Sequence, residues 1–177
     1  MLRQLLAVPL IGVMIGCASD PLAPVTSATS EPVALSAGPW GPETPNFNLE
    51  VILRPVGSGN GFGLVKFRQP NDDASIIYLD TWVRDLAPNT SYRLERAVDT
   101  NIDDNCTSTA WLTLGKGLTP QAIVTDASGT AREELFRAIP LNVFPAGSEF
   151  DIHFRLIRDG TSEVVLQSEC YQFIISL

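Results

Sequence analysis

From Asn48 to the C-terminus, apolar and polar residues alternate in short runs, broken by clusters of Gly, Pro, Asn and Asp. A two-residue period is that of a strand with one face turned inward. Leu49, Val51 and Leu53 alternate with Glu50 and Arg54, and Gly63, Val65 and Phe67 with Leu64, Lys66 and Arg68. Gly57-Ser58-Gly59-Asn60-Gly61 between them predicts a hairpin turn. Pro70-Asn71-Asp72-Asp73 predicts the next turn. Residues 75–84 are apolar on both faces, Ile77, Leu79 and Val83 against Ile76, Tyr78 and Trp82, which predicts a central strand. Strands are predicted next over 92–98, 109–114 and 121–125. Asp126-Ala127-Ser128-Gly129 then turns the chain into 130–137; within this region only 132–138 is also compatible with a short helix. Phe150, Ile152, Phe154 and Leu156 alternate with Asp151, His153 and Arg155, and Asp159-Gly160 leads into a last strand over 163–175. About nine strands at spacings of roughly 8–12 residues, with no sustained helical period, predict an all-β, antiparallel sandwich or barrel.

One segment sharpens this expectation. Leu86-Ala87-Pro88-Asn89-Thr90-Ser91-Tyr92 resembles the L-x-P-x-T-x-Y corner of fibronectin type III and related immunoglobulin-like domains. The resemblance implies that the Tyr92 hydroxyl bonds to backbone a few residues upstream and that Leu86 fills the core beneath it. It departs from the family in topology. A fibronectin domain has one strand after that of the corner, and about five are predicted here. No Cys stands two residues after Tyr92. What the resemblance implies is therefore the corner and an immunoglobulin-like β-sandwich over 46–177, not the family's strand order or adhesive function.

The N-terminus follows a different pattern. Arg3 precedes an apolar run, Leu5 to Ile15, that ends in Gly16-Cys17. The run is too short to span a bilayer, which takes ~20 apolar residues, and has the length of a signal-peptide core. One basic residue, an apolar run, a small residue and then Cys resembles a bacterial lipoprotein signal, apart from Met14, where that family prefers Leu. The resemblance implies cleavage of 1–16, lipid on Cys17, and a mature protein tethered to a membrane outside the cytoplasm. Without the lipid, the same leader still predicts secretion. Ala18 and Ser19 do not form the Asp signal that retains lipoproteins at the inner membrane, which implies the outer membrane. Residues 17–45 carry six prolines among many Ala, Ser and Thr, with Trp40 the one large aromatic, a composition that predicts a disordered tether.

Composition narrows the function classes. The domain is acidic, with a chain charge of −8 that becomes one unit more negative when Arg3 leaves with the leader. Nucleic-acid phosphates call for Lys and Arg, so nucleic acid is not an expected partner. The expected partners are the membrane, reached through the lipid, and a protein or glycan whose identity the sequence does not specify. With Cys17 lipidated, Cys106 and Cys170 form an even pair in an oxidising compartment, where a disulfide is favoured over two buried thiols. A bridge would close a loop of about 64 residues and contribute roughly 4 kcal/mol on the chain-entropy model.

Candidate chemistry is sparse. His153 is the only histidine, which removes most catalytic and metal constellations, and a serine nucleophile would find neither a second base nor a G-x-S-x-G elbow. The expectation is a non-catalytic module. Asp151, His153 and Arg155 share one strand face, either as its wet side or as a seat for an anion. Asp99, Asn101 and Asp103 match the first half of a calcium loop, and Asp104 beside them is a further candidate oxygen ligand. However, Asp104 stands where the turn glycine belongs and Ala110 where the bidentate Glu belongs. The alternatives are a solvated acidic loop and a weak Ca²⁺ site, the only cofactor in view. Tyr78, Trp82 and Trp111 are expected in the core; exposed together they would form a stacking surface for a sugar or a partner.

Overall fold

The computed structural model describes residues 48–70, 75–140 and 142–175. The leader, Cys17 and the Pro-rich segment lie outside the described residues, as does most of the 70–73 turn. The described residues fold into twelve strands and contain no helix. In chain order these are β1 (Asn48–Pro55), β2 (Phe62–Arg68), β3 (Ile76–Arg84), β4 (Ser91–Asp99), β5 (Leu112–Thr113), β6 (Gly115–Lys116), β7 (Thr119–Pro120), β8 (Ile123–Val124), β9 (Ala131–Ala138), β10 (Glu149–Arg158), β11 (Val164–Ser168) and β12 (Tyr171–Ile174).

The period-2 runs became strands with their apolar parity inward. Val51 and Leu53 of β1, Val65 and Phe67 of β2, and Leu79 and Val83 of β3 are buried, as are Ile152, Phe154 and Leu156 of β10. The hairpins pair in antiparallel register, Val51 with Val65 and Phe67 with Leu79. The two halves of the core meet through Phe67, which packs edge-on against Phe154 at 5.9 Å and Phe173 at 4.5 Å between ring centroids. Such aromatic pairs are worth about 0.5–1.5 kcal/mol each beyond the area they bury.

The prediction of about nine antiparallel strands in a sandwich holds only at its coarser level, all-β. The region 109–125, read as two strands, forms the four two-residue strands β5 to β8, and 163–175, read as one, is β11 and β12. The strands do not separate into two sheets. They run as one path, β5-β4-β10-β11-β1-β2-β3-β9-β6-β7, with β12 on β10 and β8 on β4. Every pairing is antiparallel except the single parallel bridge of β6 to β9, at Lys116 and Phe136. Residues 112–116 nearly close this sheet. They leave β4 as β5, with Glu95 opposite Thr113, and reach β9 as β6. Gly115 permits the switch, because a Cβ there would collide with the backbone of Thr119. The remaining gap lies between β4 and β9.

The Tyr92 hydroxyl bonds to upstream backbone, and Leu86 is partly buried against the core. Tyr92 is 1% exposed, and its Oη accepts the Ala87 N–H at 3.2 Å. Thr125 completes the corner, donating to the Ala87 carbonyl at 2.7 Å and accepting the Thr90 N–H at 3.0 Å. Asn89 sits at φ 48°, a left-handed turn position that Asn tolerates.

Candidate functional site

The outer face of β4 and β10 carries most of the polar residues singled out in the sequence. The register sets Asp151 opposite Asp99, His153 opposite Ala97 and Arg155 opposite Glu95. Of the two alternatives for this face, the wet side is overturned at Asp151 and His153. Asp151 is 0% exposed and His153 6%, because the segment 100–111 lies over them, tied down by a disulfide from Cys106 to Cys170 (S–S 2.05 Å).

The covering segment is bound to this floor group by group. Asp151 Oδ2 accepts the N–H of Asp103 at 3.0 Å and of Asp104 at 2.8 Å. His153 Nε2 lies 3.1 Å from the Ser108 carbonyl; a carbonyl only accepts, so Nε2 carries the proton. Trp111 packs on the imidazole with ring centroids 4.5 Å apart, and the Arg155 guanidinium sits 4.0 Å from the Trp111 centroid. Arg155 is held in turn by Glu95 Oε2 at 2.7 Å. The sole histidine is thus committed to holding a loop.

The four residues of the calcium-like pattern, Asp99 at the end of β4 and the other three in the loop after it, turn their oxygens to different partners. Asp99 accepts from Thr107 Oγ1 at 3.1 Å and from the Ser108 N–H at 3.1 Å. Asp103 accepts the Asn105 N–H at 3.1 Å and the Asn101 side-chain amide. Asp104 takes φ 59°, so its backbone turns where the pattern would place glycine. Among the described residues no group of three or more His, Cys, Asp or Glu side chains converges on a point. One carboxylate oxygen stands apart: Asp151 Oδ1 is buried and accepts no hydrogen bond.

The three large aromatics do not form one surface. Tyr78 and Trp82, expected in the core, lie on the outer face of β3 and are each 38% exposed. The inward parity of β3 belongs to Leu79, Thr81 and Val83, and Tyr78 and Trp82 fall on the opposite parity. Their neighbours are Phe62, edge-on to Trp82 at 6.2 Å, and Arg84, whose guanidinium lies 5.8 Å from the Trp82 ring. Between them Asp80 accepts both prongs of Arg132 at 2.9 and 2.7 Å. That hydrogen bond is the main reason the Asp80 carboxyl is held below the usual carboxylate range. Trp111 lies elsewhere, over the outer face of β4 and β10.

A further site lies inside the sheet and was not anticipated. A cavity of about 200 Å³ runs between β2, β3, β4, β9 and β10. Its walls include Leu79, Phe144, Phe150 and Ile152, and the side chains of Arg96 and Arg137 line it as well. Burial, and then the nearby charge of Arg137, push the Arg96 guanidinium below its ordinary pKa. The sequence held a signal for this site. Arg96 shares the parity of Leu94 and Val98, and Arg137 that of Leu135, so each is a charge written into a core register.

Compared with protein-family models, curated proteins and solved structures, the chain matches none.

Proposed function

We propose that this protein is a lipid-anchored, extracytoplasmic, non-catalytic binding or structural module of the bacterial cell envelope, held by acyl chains on Cys17. The observation that carries the reading is the Cys106–Cys170 bridge. Disulfides of this kind persist in oxidising compartments, which is where the leader resemblance sends the chain. The engagement of His153, Asp151 and Arg155 in loop contacts supports a binding or structural role over catalysis. We read the fold as an immunoglobulin-like sandwich whose two faces are joined along one side by 112–116; the Tyr92 corner supports that reading. The test is metabolic labelling with palmitate in a bacterial host. Label enters the wild-type chain and is lost in Cys17→Ser. Equal label in both, or none in either, overturns the anchor and with it the outer-membrane location.

One atom favours a second reading, a Ca²⁺-dependent carbohydrate-binding or adhesion module. Asp151 Oδ1 is buried without a partner beneath the loop of Asp99, Asn101, Asp103 and Asp104. Extracellular sites with incomplete ligand sets bind at about 10⁻⁴–10⁻³ M. Millimolar Ca²⁺ would then stabilise the fold by about 0.4–1.4 kcal/mol. The check is thermal unfolding in millimolar Ca²⁺ against EDTA, with Asp103→Asn alongside. A wild-type midpoint indifferent to Ca²⁺ dismisses this second reading.

A further inference from the structure

Several arginines on this sheet are held by carboxylates. Arg155 pairs with Glu95 at 2.7 Å, Arg93 with Asp159 at 2.9 Å and Arg132 with Asp80 at 2.7 Å. The guanidiniums of Arg96 and Arg137 are not: among the described residues neither side chain makes a hydrogen bond or an ion pair, and both residues line the largely apolar cavity. Two like charges in a site of lowered dielectric repel each other, and each is partly stripped of water. A guanidinium presents five donors in a planar fork that fits carboxylate and phosphate oxygens. The remaining lining, with Leu79, Ile152, Phe144 and Phe150, suits hydrocarbon or an aryl ring. Sites in the mouths of β-barrels commonly combine these two kinds of surface.

We propose that this cavity binds a small anionic amphiphile, a carboxylate or phosphate head held between Arg96 and Arg137 on a short hydrocarbon or aryl body seated against the apolar wall. The size sets the body. A buried apolar cavity of about 150 Å³ takes one benzene, so the volume here, about 200 Å³, admits a body of some six to eight carbons. A neutral alcohol fills the same space but leaves both guanidiniums unpaired, and a cationic amphiphile adds a third like charge. The site does not depend on the membrane anchor, so it stands or falls separately from lipidation.

The test is calorimetric titration of the full chain carrying Cys17→Ser, which removes any acyl chain as a competing ligand. The probes are octanoate, octyl phosphate, octan-1-ol and octylammonium. The expected result is saturable binding of one octanoate or one octyl phosphate, at least tenfold tighter than octan-1-ol, with octylammonium weakest. Whichever anion binds tighter names the head group. Arg96→Met and Arg137→Met each weaken anion binding about 10- to 100-fold, the size of one charge-assisted hydrogen bond, and leave octan-1-ol unchanged. Their thermal midpoints without added ligand equal or exceed that of the parent, because one of two repelling charges is gone. Arg96→Lys keeps the charge without the fork and serves if a Met variant fails to fold; it too loses octanoate affinity. Equal affinity for octanoate and octan-1-ol, no saturable binding of either anion, or folded Arg variants that retain anion affinity would each overturn the proposal.

Discussion

Tyr92 shows how much one side chain secures. Its ring is buried and its hydroxyl is the partner of the Ala87 N–H, five residues upstream. Tyr92→Phe keeps the ring and removes the acceptor. The donor is part-buried, so the expected cost is roughly 1 kcal/mol, the low end of the penalty for a donor left unpaired. It is read as a lower denaturant midpoint at unchanged slope. An unchanged midpoint would mean that Thr125 carries the corner alone. This residue was legible in the sequence because its role follows from a local spacing. Arg96 was legible only in part: its parity marks a core position, but that it meets Arg137 depends on β4 and β9 facing each other across the gap, which no local pattern encodes. Tyr78 and Trp82 misled for a related reason. Ile76, Tyr78 and Trp82 made β3 apolar on both parities, and hydrophobicity alone does not say which parity faces the core.

Among elements, the segment 100–111 has least structure of its own and most dependence on its fastenings. It has no strand; it is held by Asp151, by His153, on which its own Trp111 packs, and by the disulfide. Reducing the disulfide should lower stability by roughly 4 kcal/mol on the chain-entropy model. It should also speed hydrogen exchange at the amides of Asp103 and Asp104 more than in the central strands β1 and β2. Equal effects everywhere would show that the bridge acts only on the unfolded chain. Three turn and strand carboxylates give the fold an acid limit. Asp80 is held below the usual carboxylate range by hydrogen bonds from Arg132, Asp159 by those from Arg93, and Asp126 by Ser128 and the N–H groups of Thr130 and Ser128. A depressed folded-state pKa contributes stability that is complete above the unfolded carboxylate range, near pH 4, and is lost as pH falls through the lower folded values. The denaturant midpoint should therefore be flat from about pH 5 to 7 and fall below about pH 4, with a shallower fall in Arg132→Gln. A fall of the same steepness in that variant would show that the Asp80 pair does not contribute. The long strands were readable as elements because seven to ten residues display a period. The two-residue strands β5 to β8 were not, since two residues display none.

At the scale of the molecule, what the alternation could not convey is that the strands share one sheet. The closure runs through residues 112–116 and rests on the close approach at Gly115. Gly115→Ala should therefore be severely destabilising, whereas Gly147→Ala, in open space, should cost only the strain of a positive φ. Comparing the two by thermal unfolding separates closure from ordinary turn chemistry, and equal losses would refute the role given to the closure. The cavity lies where β4 and β9 leave the sheet unsealed, so the incomplete closure and the two-arginine site are parts of one geometry. The proposed role depends on where the chain folds. In that role, export is what allows Cys106 and Cys170 to join. The direct measurement is acid trapping of thiols in a bacterial host, followed by mass analysis of the peptides containing these two cysteines. The full chain is compared with one lacking residues 2–16. Both cysteines should resist alkylation in the full chain, and both should be alkylated in the leaderless chain. Free thiols at Cys106 and Cys170 in the full chain, or the same oxidation state in both chains, would contradict that role.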